Sequence, residues 1–205
     1  MISRPEIAAI LVDLQNGFIG PDSPFQLKGI DQLLENTATL VHALRGARAQ
    51  IFWTRVYLDE WHHSPYSEQW PQHFDASGAT FLAKDSTSHA LQKDIEQLVM
   101  PEDVIVDKPR YSAFLSTTLE AQLHELGVTH LIFGGVTTNV CVETTIRDAF
   151  QRNFYCTLCR DCSLTFNTAL QACAEEVISF VFGKVDTLDN IVRMLMDRGH
   201  EVANS

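Results

Sequence analysis

Three side chains of different chemistry stand just beyond separate apolar runs of this sequence. Asp13 follows residues 7–12, Lys108 follows residues 104–106 and Asp107, and Cys141 lies shortly after residues 128–133. A thiol attacks as its thiolate, so it needs a base for its proton and a cation to offset the charge. A carboxylate, an ammonium and a thiol meet that need together. Singly, each has an ordinary reading: aspartate as turn former, lysine as solvated charge, cysteine as small core residue. The surroundings of Cys141 are more specific. Gly134-Gly135 permits a tight turn with unusual backbone angles, and Thr138 suits the N-cap of the helix that follows. Cys141 then falls in a first helical turn, where the dipole favours a thiolate and unpaired N–H groups can receive an oxyanion.

Such a constellation requires strands that end at one edge. Apolar runs at 7–12, 50–54, 104–106, 128–133, 154–158 and 184–185 read as strands. Segments at 30–48, 88–99, 117–126, 138–152, 167–180 and 188–197 read as helices, the first with Leu33, Leu34, Thr37, Leu40, Val41 and Leu44 at helical spacing. The alternation predicts an α/β fold of three layers, α/β/α. Its sheet is expected to be mostly parallel and Rossmann-like, about six strands in the order 3-2-1-4-5-6. Ligands of such sheets bind beyond the carboxyl ends of the strands, where strand order reverses, and that edge carries Asp13, Lys108 and Cys141. Residues 57–87, rich in aromatic and histidine side chains, form one long irregular stretch. A loop of that length in a compact domain is usually functional. The expected organisation is a single domain over 1–205 with the 57–87 loop above the site.

Composition narrows the function classes. The 205 residues are 45% hydrophobic and 20% charged, with a formal net charge of -11. The absence of a Lys/Arg cluster argues against nucleic acid as partner. No run approaches the roughly 20 apolar residues of a membrane span, and residues 7–12 are too short for a secretory core. Five cysteines, an odd number, fit reduced thiols and a cytoplasmic location. The remaining partner is a small-molecule substrate.

Three ordered motifs add a resemblance that covers most of the chain. They are Asp13-Leu14-Gln15-Asn16-Gly17-Phe18, Lys108-Pro109-Arg110-Tyr111-Ser112-Ala113-Phe114 and Gly135-Val136-Thr137-Thr138-Asn139-Val140-Cys141-Val142. Together they resemble the isochorismatase-like cysteine hydrolases, which include nicotinamidases, N-carbamoylsarcosine amidohydrolases, ureide and biuret hydrolases, and isochorismatase. The resemblance implies a catalytic triad of Asp13, Lys108 and Cys141. It also implies a cis peptide bond at Val136–Thr137, an oxyanion hole from the amides of Thr137 and Cys141, and a homo-oligomer, dimer or tetramer. One departure stands out. Metal-containing nicotinamidases carry Asp-x-His after the second strand, where this chain reads Thr54-Arg55-Val56-Tyr57-Leu58. Asp59, His62, His63 and His73 lie downstream, but adjacent loop histidines more often face solvent or substrate, so neither metal nor cofactor is expected.

For the pocket, the expected residues are Phe18, Arg55, Tyr57, Trp61 and Tyr111; Arg55 and Arg110 read either as partners for a substrate carboxylate or, at least as readily, as solvated charges. Trp61, Trp70, Phe74 and Phe81 would bury the loop against the site or a neighbouring subunit. Cys156, Cys159 and Cys162 form a C-x2-C-x2-C run. Strand alternation turns Cys159 away from the other two, so all three read as core residues. Asp161 reads as a turn or support residue, and His42 and His124 lie on helices away from the site. The leading expectation is hydrolysis of a C–N bond in a small amide or ureide through a thioester. The alternatives are vinyl-ether hydrolysis of an isochorismate-like diacid, which needs Asp13 but no thiol, and a non-catalytic binding protein on the same scaffold.

Overall fold

The computed structural model of the chain describes residues 6–25 and 27–203. Its sheet contains β1 (Glu6–Val12), β2 (Gln50–Val56), β3 (Val104–Lys108), β4 (Val128–Val136), β5 (Tyr155–Leu164) and β6 (Lys184–Asp186). All neighbours pair in parallel, in the expected order β3-β2-β1-β4-β5-β6. The main helices are α1 (Ile30–Gly46), α2 (Leu119–Glu125), α3 (Glu143–Gln151), α4 (Thr168–Val177) and α5 (Leu188–Ala203). Among the described residues, no helix is long and apolar enough to cross a membrane.

Both faces of the sheet are buried, which is why its strands read as nearly continuous apolar runs. Successive side chains alternate between two cores. On one face Leu11, Ile51, Trp53 and Ile132 meet Leu40 and Leu44 of α1 and Ile191 and Leu195 of α5. On the other, Ile10, Phe52, Leu131 and Phe133 meet Leu119 and Leu123 of α2 and Ile146 and Ala149 of α3. Each such large side chain contributes about 1.5–3 kcal/mol when fully buried.

Several local expectations are corrected. The helix expected over 88–99 is one turn, Lys93–Glu96. Upstream of that turn the backbone is engaged elsewhere: the carbonyls of Ser88 and Ala90 accept from Gly17 and Asn16, and the amide of Gln92 donates to Leu14. Those long-range bonds hold the segment against the motif after β1 and replace the helical ladder. The strand expected over 154–158 runs on to Leu164, and it bulges: Phe133 faces Leu158, but Gly135 faces Ser163. The bulge resets the alternation. Cys159 and Cys162 therefore share one core while Cys156 lies in the other.

The Gly134-Gly135 pair is dictated by close approach. A Cβ on Gly135 would lie 2.0 Å from the carbonyl oxygen of Val12, and one on Gly134 would lie 2.9 Å from that of Cys162. Gly135 also has φ of 109°, where L side chains are strained. Gly135→Ala must push β4 away from β1 at the residue before Asp13. It is expected to cost about 3 kcal/mol or more, lowering Tm by about 6–12 °C. Thermal unfolding checks this, and a Tm within a degree of the parent would show that the strands have room.

Candidate active site

Asp13 leaves β1 in the left-handed region, with φ of 52°. Thr54 on β2 holds it there. The Asp13 amide donates to the Thr54 carbonyl at 3.1 Å and to its hydroxyl at 3.2 Å, while that hydroxyl donates to Asp13 Oδ1 at 2.7 Å. Lys108, the last residue of β3, brings Nζ to 2.8 Å from Asp13 Oδ2, and both side chains are fully buried. The same ammonium donates to the carbonyls of Arg110 at 3.1 Å and Tyr111 at 2.9 Å. Its contact with Oδ2 is close but not aligned as a hydrogen bond, and Oδ2 accepts none from the described residues. An acceptor lone pair is thus left on a buried carboxylate.

Cys141 stands within hydrogen-bonding reach of both Asp13 and Lys108. Its turn, Thr138–Val142, is wider than an α-helical one: the Thr137 carbonyl accepts from both Val140 and Val142. Thr138 does not cap this turn as expected. Its hydroxyl bonds instead with Ser163 Oγ on β5 at 2.7 Å and Gln171 Oε1 on α4 at 2.9 Å, because β5 runs past the turn. The Val136–Thr137 peptide is cis. The expected first-turn thiolate is also corrected. Burial pushes the Cys141 thiol well above the ordinary range and the Asp13 charge adds to this, while Lys108 opposes both. The resting side chain is a neutral thiol that needs a base.

Thr54, Gln15 and Thr145 complete the support, and sequence reasoning passed over all three. Gln15 binds the Val56 amide through Oε1 and donates to the carbonyls of Val56 and His89. Thr145 donates to the Cys141 carbonyl at 2.6 Å and accepts from the Ala113 amide, tying α3 and the segment after Lys108 to the thiol's turn. Thr54 is marked in the sequence as a polar residue at the end of an apolar run and Gln15 by its place in the Asp13–Phe18 motif, while Thr145 carries no such signal.

Over Cys141 lies a cavity of about 120 Å³. Depressions of about 370, 500 and 560 Å³ exist elsewhere, but none is lined by Asp13, Lys108 or Cys141. Thr137, Val140 and Cys141 form the cavity floor, with Val56, Leu58 and Tyr111 beside them. Tyr66, Trp70 and Leu82 come from the 57–87 loop, and Phe18, Phe25 and Phe166 complete the lining. Phe18 and Tyr111 thus lie where expected, while Arg55, Tyr57 and Trp61 do not line the cavity. Arg55 is held by its cross-strand neighbour Asp107, with bonds of 2.7 and 3.0 Å. The Tyr57 hydroxyl donates to Glu60. Trp61 donates to the Pro109 carbonyl and packs on Tyr111 and Tyr66, backing the wall. Sequence reasoning missed Phe25, Val56, Leu58, Tyr66, Leu82, Val140 and Phe166, since each reads alone as an ordinary apolar or loop residue.

A family model of the isochorismatase domain matches residues 8–190. The chain belongs to the isochorismatase family. Ureidoacrylate amidohydrolase RutB of Variovorax paradoxus (strain S110) is 30% identical over 204 residues, spanning 91% of this chain and 80% of that protein. A cysteine hydrolase from Pseudomonas syringae pv. phaseolicola 1448A superposes with a TM-score of 0.85 at 24% identity, covering 96% of this chain and all of that one. Nicotinamidase PncA from Bacillus subtilis does so with a TM-score of 0.76 at 20% identity, covering 88% of this chain and 98% of that one. The two structures share the fold, and the family and its amidohydrolase relative make this chain an isochorismatase-family hydrolase.

In this family member the histidines of the loop are engaged in packing. The buried His73 has Nδ1 at 2.9 Å from the Tyr66 hydroxyl and its ring stacked on Trp70. His62 lies against His63, and Asp59 accepts from the Lys84 amide. Among the described residues, no three His, Cys, Asp or Glu side chains converge as a ligand set. Burial holds His73 below the usual histidine range, so its ring is neutral and shares a hydrogen bond with the Tyr66 hydroxyl. A depressed pKa stabilises the folded state above the ordinary value, and that stability is lost as pH falls through the folded value. Below the ordinary histidine range protonation places a charge within buried aromatic packing, and the Tyr66 wall loosens. KM is expected to rise in the parent as pH falls below the ordinary histidine value of about 6.5, and to stay flat in His73→Asn. An unchanged acid limb in that variant would place the titration elsewhere.

Proposed function

We propose that the protein is a cysteine-dependent hydrolase that cleaves the C–N bond of a small amide or ureide through a thioester on Cys141. The observation that carries this reading is a fully buried Asp13–Lys108 pair with an unused lone pair on Oδ2, beside a buried neutral thiol. Asp13 takes the thiol proton as Sγ bonds to the carbonyl carbon, and the carbonyl π electrons move to oxygen. The amides of Thr137 and Cys141 receive that oxyanion. As the carbonyl re-forms, the C–N bond breaks and the proton on Asp13 passes to the departing nitrogen. Water then adds to the thioester, giving one proton to Asp13. Collapse releases the acid and the thiolate, which regains its proton from Asp13. Lys108 offsets the charge on Asp13 in the resting state and on sulfur in transit.

A carbonyl beside nitrogen is common to the ureide in RutB's name and the amide in that of nicotinamidase. The vinyl-ether alternative requires no thiol and leaves the Cys141 arrangement without a role. A panel of small amides and ureides scored for ammonia release, with rapid acid quench and intact-mass measurement, tests the proposal. Release of ammonia with an acyl mass on the Cys141 peptide is expected, before and after dialysis against a strong chelator. Turnover with no acyl adduct, or activity lost with stoichiometric zinc or iron, would overturn it.

A further inference from the structure

We propose that the cavity selects amides of compact, uncharged, apolar acyl groups and rejects those whose acyl group carries a carboxylate. The proposal rests on the amidase reading above and names its substrate class. Among the twelve described residues that line it none is Lys, Arg or His, and the polar side-chain groups are two tyrosine hydroxyls, the Trp70 indole N–H, the Thr137 hydroxyl and the reacting Cys141 thiol.

The cations nearby are committed elsewhere. Lys108 is fully buried among Asp13 and the carbonyls of Arg110 and Tyr111 and is not a lining residue. Arg55 is doubly bonded to Asp107. Arg110 donates to the Pro109 carbonyl and lies over Trp61, which is not a lining residue. A carboxylate drawn into this space would lose its hydration and find no cation in exchange, at a large cost. It would also lie near the Asp13 charge.

Size and shape complete the specification. An apolar cavity of about 150 Å³ holds a molecule the size of benzene. The 120 Å³ here therefore suits a chain of about five or six heavy atoms beyond the reacting carbonyl. Phe18, Phe25, Trp70 and Phe166 offer flat apolar walls to a branched or aromatic chain. The leaving nitrogen must meet Asp13, which is fully buried, so an unsubstituted nitrogen fits best. The favoured substrate is a primary amide of a short branched or aromatic acid.

An isosteric pair tests this directly. 4-Methylpentanamide and succinamate share a skeleton, with isopropyl in one where carboxylate stands in the other. The expected kcat/KM ratio is at least about 100-fold in favour of 4-methylpentanamide. Equal or better turnover of succinamate would overturn the proposal while leaving the amidase reading intact. The matching aldehydes, 4-methylpentanal and 4-oxobutanoate, separate the two ideas without turnover. The thiol adds across the aldehyde carbonyl, forming the S–C bond and passing its proton to oxygen, so a bound aldehyde protects Cys141 from alkylation. Protection by 4-methylpentanal at least about 100-fold lower in concentration supports the pocket assignment, even if every amide proves inert and the amidase reading falls. Equal protection by both overturns it.

Discussion

Cys141→Ala is expected to leave a folded protein whose amide hydrolysis is at least about 10⁴-fold slower than the parent's. Cys141 is 4% exposed and packs in the core that includes Val142 and Ile146, so loss of one sulfur costs about 1 kcal/mol of stability. The catalytic loss is far larger because no other side chain in the cavity lining can form a thioester. Asp13→Asn, nearly isosteric, is expected to be equally inactive, since a neutral amide cannot take the thiol proton. It also leaves Lys108 as a buried cation without its counter-charge, so a loss of about 3–5 kcal/mol accompanies inactivity. Steady-state kinetics and thermal melts on both variants separate the two effects. Parent-like activity in Cys141→Ala would end covalent catalysis as an explanation and promote the vinyl-ether reaction.

Lys108→Met carries the second large effect, this time on stability as well as rate. Methionine fills most of the same space but removes the charge 2.8 Å from Asp13 Oδ2 and the donors to two carbonyls. An unpaired buried carboxylate costs about 3–5 kcal/mol, which for a chain of this size lowers Tm by about 6–20 °C. The double variant Asp13→Asn/Lys108→Met removes both charges. Its Tm is expected to recover much of the loss, because the penalty belongs to a charge left alone and not to the absence of the pair. Simple addition of the two single losses would show that the residues do not sense each other. In either case hydrolysis stays abolished in the double variant, since the side-chain amide that replaces the Asp13 carboxylate is no base.

The order of strands and helices, their topology and the meeting of Asp13, Lys108 and Cys141 at one edge were legible in the sequence. Each depends on local information: apolar runs of strand length, periodic helices, and the rule that parallel strands present their carboxyl ends together. What the sequence could not carry is what distant segments do to one another. The bulge in β5 that places Cys159 and Cys162 in one core arises from pairing with β4. The single turn at Lys93–Glu96 follows from backbone bonds to residues 14–17. Arg55 looked like an anion partner until Asp107 lay beside it across the sheet, and Thr138 looked like a cap until Ser163 and Gln171 claimed its hydroxyl. The protonation of Cys141 belongs to the same class. A helical first turn by itself favours a thiolate, but burial removes the water that would solvate one, and the Asp13 charge adds to that against the opposing Lys108. Hydrophobic period is written residue by residue along the chain, whereas burial, pairing and charge are properties of the assembled neighbourhood, and only the tertiary structure decides them.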